Sequence, residues 1–530
     1  MKSKVWKSRL CKYMVIFAGS LIGIQLIIHS NTLNSSTEER PPQNLDHLFA
    51  DQTTPLKLTM CNIINKRSKS DKISDEICSP LHELTNGIWR PKNVTKEEIK
   101  KVKDYESLAL KTRQITQTLD RIDGRCGDMS LLKETFSRYI VYDPGDVKLR
   151  MRALCDPDGP TPCCYKNHCV NLPVNQCQCD NCYDMRQRHH AELSQWVPVN
   201  PKCHVKHYSP NEACGILTKV FDHIVVMGDS LMRHVFSSLL VLLRTGANAG
   251  SCLKPGVSED VKAKCHGYYQ LLDKECNSFN LWRNATVCDG NLRVTMLSLE
   301  SINELQTRKS ELKDLKLNSK SFLIMGTGLH DDFNAEKLIL GYINPTLEMI
   351  LQGVNPKYHH GDRPISIPHT KDLKNIRITK NIQTDSHMVQ SIYHKERISN
   401  TGYLPGKDNE QKDKSAIKHY RTLLSSDTSG DQQLLENTKY ESVPKVLWLN
   451  THLPGLLKSI HQVRQDVQHT KQFNRHVDAY LRKLCVPVMN TEELSKNVFS
   501  FDGTHYGLGM NLIKAKIILN YVAKLSNEVR

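Results

Sequence analysis

Three residues stand where acyl chemistry can use them. Gly228-Asp229-Ser230 follows the apolar run 223–227 and leads into the apolar helical stretch 231–243. A serine at a strand-to-helix turn projects from the carboxyl end of a sheet, where open α/β folds bind ligands. Its N–H heads a helix, so free donors and the helix dipole can stabilise a developing oxyanion. Gly228 permits the tight turn that exposes the hydroxyl. Far downstream the chain reads Phe501-Asp502-Gly503-Thr504-His505-Tyr506-Gly507. With Asp502 and His505 three apart, one turn lets the carboxylate reach one imidazole nitrogen. The other nitrogen is left to act as base toward a serine hydroxyl. Either fragment alone is commonplace: Gly-Asp-Ser occurs in many loops and Asp-x-x-His in many surface turns. Together they predict a Ser230–His505–Asp502 triad.

Those residues need a scaffold. Besides 223–227, the runs 292–299, 322–325, 446–449 and 486–489 read as short buried strands, and 512–525 closes the chain as an amphipathic helix. Apolar strands separated by helices predict an α/β fold, a three-layer α-β-α domain around a parallel sheet. Asp502 and His505 lie just before its last helix. Helical patterns also cover 96–122 and 131–140. The stretch 355–442 is too polar to bury much and reads as an insertion; its histidines (His359, His360, His369, His387, His394) read as solvated loop residues or as a metal or pH-sensing cluster.

The N-terminus supplies a setting. Lys2, Lys4, Lys7, Arg9 and Lys12 precede the apolar stretch 13–28, and no Lys or Arg follows until Arg40. Positive-inside bias keeps residues 1–12 cytoplasmic and sends the rest into the lumen. The sixteen residues 13–28 span about 24 Å of helix, short of the ~30 Å of a typical bilayer core, which suits thinner early secretory membranes such as the Golgi. The rival is a cleaved signal peptide, for which residues 29–31 offer no clear small-x-small site. Residues 29–60 read as a stem, 61–194 as a cysteine-rich lumenal region, and 195–530 as the catalytic domain.

Of the 18 cysteines, seven lie between Cys155 and Cys182. Cys177-x-Cys179-x2-Cys182 with His168 nearby offers soft metal ligands. A lumenal location, the vicinal Cys163-Cys164 pair and irregular spacing favour disulfides instead, with connectivity unreadable. No metal or other cofactor is expected. Asn34, Asn93 and Asn284 head glycosylation sequons. A net charge of +16 favours anionic partners such as sulfated or sialylated glycans, or simply a basic surface spread along the chain. No basic run interleaves with aromatics, so no nucleic-acid partner is expected.

Gly228-Asp229-Ser230-Leu231-x-Arg233 with the C-terminal Asp502-x-x-His505 resembles the SGNH/GDSL hydrolase superfamily. The branch it looks most like holds the PC-esterase proteins and the trichome-birefringence-like polysaccharide O-acetyltransferases. The likeness covers about 195–530, from Trp196-Val-Pro and including Trp448-x3-His452-x-Pro454-Gly455. It implies an SGNH-hydrolase-like fold with Ser230 as acyl-accepting nucleophile, His505 as base and Asp502 as its orienting carboxylate. It also implies an oxyanion hole of the Ser230 N–H, a second-block glycine and a third-block asparagine. The chain departs from that pattern, reading Gly326-Thr327-Gly328-Leu329-His330 without Gly-x-Asn-Asp. Gly328 and His330 are then the candidate donors, and Gly250 the candidate second-block glycine. Arg233 and His234, one turn past Ser230, face an anionic substrate or solvent. The expected activity is O-acyl transfer to, or hydrolysis from, a glycan, with any acyl donor supplied to the lumen by another protein. A non-enzymatic glycan-binding or adhesion ectodomain on the same fold is the alternative, and a lipid or phosphodiester hydrolase using the same serine a further one.

Overall fold

The aliphatic runs form the spine of one six-stranded sheet. In a computed structural model, residues 80–112, 124–128, 152–179, 182–244, 250–271, 276–281, 283–354, 443–458 and 465–528 are described. The tail, the apolar stretch 13–28, the stem, Asn34, the helical pattern 131–140 and the insertion with its histidines lie outside the described residues. Among the described residues no helix is long and apolar enough to cross a membrane. Thr59–Arg530 makes one compact unit, to which everything below belongs.

The strands are β1 (His223–Gly228), β2 (Asn284–Val287), β3 (Leu292–Ser298), β4 (Ser321–Gly326), β5 (Lys445–Leu449) and β6 (Val488–Met489), in the spatial order β6-β5-β4-β1-β3-β2. β1 lies parallel to both β3 and β4, β4 to β5, and β5 to β6. Every residue of β1 and β4 is buried, because both faces are covered. On one face Ile224, Val226, Val294, Met296, Phe322 and Ile324 pack with α1 (Pro210–Val220), α2 (Ser230–Leu243) and α5 (Leu508–Glu528). On the other, buried Tyr342, just before α3 (Asn344–Val354), donates to the Met227 carbonyl at 3.2 Å and packs edge-on against Trp448. Helix α4 (Val467–Lys483) precedes β6.

One strand departs from the all-parallel expectation: β2 is antiparallel to β3. Its four residues alternate exposed and buried, too short a run to read as a strand. They are joined to β3 by the four residues 288–291, of which Cys288, Asp289 and Gly290 have positive φ. So short a connection can link only antiparallel neighbours. The disulfide Cys214–Cys288 ties this turn to α1.

The cysteine-dense segment is a disulfide module on three short strands, Cys163–Tyr165, His168–Val170 and Tyr183–Asp184. Its bonds are Cys126–Cys164, Cys155–Cys169, Cys163–Cys177 and Cys179–Cys182. The adjacent Cys163 and Cys164 bond different partners because successive strand side chains point to opposite faces.

Candidate active site

β1 is the switch point of the sheet. From it the chain moves to β3 on one side and then crosses to β4 on the other, which opens a crevice beyond its carboxyl end. Gly228 ends β1 with φ at 148°, and a Cβ there would fall 1.8 Å from the Gly326 carbonyl oxygen. Only glycine lets β1 and β4 approach this closely while the chain turns. Asp229 then caps α2, its carboxylate accepting the Leu231 N–H at 3.0 Å. Ser230 is the first residue of α2, so its own N–H is one that no helical carbonyl takes.

The three predicted residues meet there. His505 Nε2 lies 2.8 Å from Ser230 Oγ, and His505 Nδ1 lies 2.7 Å from Asp502 Oδ2. Asp502 Oδ1 accepts the backbone N–H groups of Thr504 and His505 at 2.8 and 2.6 Å. Asp502 is therefore a buried acceptor using both oxygens, one for the loop and one for the ring. Such a chain of bonds can move a proton from a hydroxyl to an imidazole while the carboxylate stabilises the resulting cation. The cysteine-rich region braces this loop. Tyr105, on the helix Lys96–Thr112, packs edge-on against Phe501, the Arg188 guanidinium sits 4.4 Å over the Phe499 ring, and Glu192 Oε1 accepts the Gly509 N–H.

The remaining expected residues fare unequally. Gly328 follows β4 with φ at 142°, packed so that a Cβ would meet the Phe473 ring at 2.6 Å. Its neighbour Thr327 donates to Asp229 Oδ2 at 3.4 Å, which keeps this turn beside the head of α2. His330 bonds Glu300 instead, at 3.2 Å, and is half exposed. Arg233 is taken up by the same carboxylate and by Ser298 Oγ. The His330 and Arg233 contacts hold the Glu300 carboxyl down to about 2, and Glu300 in turn raises His330. His234 does not face solvent: it is buried with its ring 5.2 Å from that of His505. Gly250 is not brought to Ser230. The adjoining Ser251 carbonyl accepts from Arg244, and Cys252 lies against Ser237, on the later turns of α2. Ser237 is about 10 Å along the helix from Ser230. Asn93 and Asn284 are both exposed, and Asn284 borders an open cleft of about 480 Å³ whose wall includes Arg233, Arg283, Arg308 and Glu311.

Four further residues belong to the site. Asp229 is fully buried, and burial pushes its carboxyl above the usual range. Glu300 lies just beyond β3, where Leu299 N–H donates to the Gly228 carbonyl. His452 and Lys514 form a buried hydrogen-bonded pair beside the Asp502–His505 loop. A signal for Lys514 exists in the sequence: at i+4 from Met510 and i−3 from Ile517 it lies on the core stripe of α5. No family model, curated protein or solved structure matches the chain.

Proposed function

We propose that this chain is a serine-dependent O-acyl transferase or esterase, in particular for O-acetyl groups, acting on glycans of the secretory pathway through an acyl-serine intermediate. The observation that carries this reading is the continuous chain Ser230–His505–Asp502 at the carboxyl end of β1. Helices on both faces of a largely parallel sheet support a three-layer, SGNH-hydrolase-like architecture.

The geometry supports the following steps. Ser230 Oγ attacks the acyl carbonyl carbon as His505 Nε2 removes its proton, and Asp502 steadies the imidazolium. The oxyanion falls to the Ser230 N–H and the positive end of α2, with Gly328 as the second candidate donor. Collapse breaks the bond to the leaving alcohol, which departs with the proton held by His505. Water or a sugar hydroxyl, deprotonated by the same nitrogen, then attacks acyl-Ser230 and frees the serine. Water gives hydrolysis and a sugar gives transfer. Arg233 and Arg308 in the neighbouring cleft are paired with Glu300 and Glu311, so the preference for an acceptor carrying negative charge rests on the chain's net charge of +16. The 13–28 stretch and its basic flank argue for a single-pass type II Golgi protein with a lumenal body, a compartment in which the disulfides would persist.

The test incubates the purified full-length chain and Ser230→Ala with 4-nitrophenyl acetate, with and without candidate glycan acceptors. Ser230-dependent ester cleavage is expected, and acceptor-dependent acyl-glycan formation identifies a transferase. Equal background turnover by both proteins refutes the catalytic reading and leaves a glycan-binding ectodomain.

A further inference from the structure

Behind the serine lies a buried polar strip that the proposed steps leave unused. Lys514 Nζ is 2.8 Å from His452 Nδ1, and His452 Nε2 is 2.7 Å from the Thr504 carbonyl oxygen. Both side chains are almost wholly buried. Lys514 and Asp229 line the same small cavity, with Thr327, Asn450, Thr451 and Thr491. A buried ammonium is costly. Packing alone would be served as well by methionine, so the donor itself needs an explanation.

The bond pattern supplies one. A carbonyl only accepts, so His452 must carry its proton on Nε2. A neutral imidazole has one N–H, which leaves Nδ1 as an acceptor in need of a donor. Lys514 is that donor. Burial pushes its ammonium down to about 7, and protonated or neutral it still has hydrogens to give. Burial and the neighbouring lysine drive His452 down as well, far below its ordinary value, so it stays neutral.

The grip falls on a decisive peptide. The Thr504 carbonyl and the His505 N–H belong to one planar unit. His452 holds the carbonyl end, and Asp502 Oδ1 holds the N–H end at 2.6 Å. Lys458 Nζ, 2.5 Å from Thr504 Oγ1, fixes the side chain as well. With the plane pinned at both ends, the direction in which His505 leaves the backbone is set.

We propose that Lys514 and His452 act as a positioning pair, in which Lys514 fixes His452 as the Nε2–H tautomer and His452 anchors the Thr504–His505 peptide so that the His505 ring meets Ser230 Oγ. This role rests on the serine chemistry proposed above.

The test reads the reaction of the full-length chain with a fluorophosphonate. Ser230 Oγ displaces fluoride from phosphorus while His505 takes the proton, so no acceptor is needed. The wild type is first compared with Ser230→Ala; no serine-dependent labelling would overturn the serine chemistry itself. Given labelling, Lys514→Met and His452→Leu are expected to lower the maximal inactivation rate between about 10- and 100-fold with little change in the half-saturating probe concentration. His452→Gln, whose amide can donate to Thr504 and accept from Lys514, is expected to recover most of the rate lost in His452→Leu. The double variant Lys514→Met/His452→Leu should be no slower than the worse single variant. Wild-type rates in Lys514→Met, or a glutamine no better than leucine, overturn the positioning role. If Lys514→Met does not fold, the glutamine–leucine comparison decides alone.

Discussion

Asp502→Asn separates a working Ser–His–Asp chain from a chance alignment. The introduced amide can sit in two orientations. Turned one way, its oxygen accepts the Thr504 and His505 N–H groups, as Asp502 Oδ1 does at 2.8 and 2.6 Å, and its NH2 faces His505 Nδ1. Flipped, the NH2 would confront two N–H donors at those distances, so the flip is closed. Nδ1 must then accept, and the imidazole proton moves to Nε2, against Ser230 Oγ at 2.8 Å. The base becomes a donor at the one atom where it must accept. Loss of a general base costs about 10²–10⁴ in rate, and a wrong tautomer lies near the top of that range. A fall of about 10³–10⁴ in kcat/KM, roughly 4–5.5 kcal/mol of transition-state stabilisation, is therefore expected. The assay is 4-nitrophenyl acetate hydrolysis after subtraction of Ser230→Ala background, alongside a melting curve to establish that the variant is folded. A folded Asp502→Asn within tenfold of wild type would refute the triad reasoning.

Three further outcomes follow from the fold. Gly228→Ala should destabilise by at least about 3 kcal/mol, because the new methyl meets the Gly326 carbonyl in a φ region that alanine avoids; thermal melting measures it. Replacing Cys214 and Cys288 together by serine opens a loop closed across a separation of 74 residues and should cost about 4 kcal/mol on the chain-entropy account, read from denaturant midpoints. His223 is held down to about 4 by burial and by Arg293, which donates to its Nδ1 at 2.8 Å. The unfolded chain takes up that proton near pH 6.5 and the folded one only near 4. Stability should thus fall as pH drops through this window, and His223→Gln should flatten the slope by about one proton.

How much of this was legible depended on whether the signal was local. β1 and β4 are unbroken apolar runs because both their faces are buried, and that is the pattern an interior parallel strand imposes. The meeting of Ser230, His505 and Asp502 was legible for a similar reason: strand, glycine turn and helix lie in one stretch of chain, and Asp502 and His505 lie three residues apart. β2 escaped because four alternating residues carry too little pattern. Disulfide connectivity escaped because it is set by which strand face each cysteine occupies. The fate of Arg233 escaped because Glu300, which captures it, lies 67 residues further along the chain.

The captured arginine and the hidden lysine together say how the site is arranged electrostatically. Arg233 and His330, near the mouth, are both tied to Glu300, so that carboxylate sets how much of the Arg233 positive charge the opening presents. Behind the serine stand Asp229 and Lys514, both buried and bordering one cavity. The groups in front are partly exposed and open to exchange with a substrate; those behind are sealed and bonded within the protein. The first kind is suited to selecting an acceptor and the second to holding geometry. Substitution of Glu300 should therefore act on substrate binding, and substitution of Lys514 on the rate at saturation. A variant pair that reversed this split would show that front and back do not have separate roles.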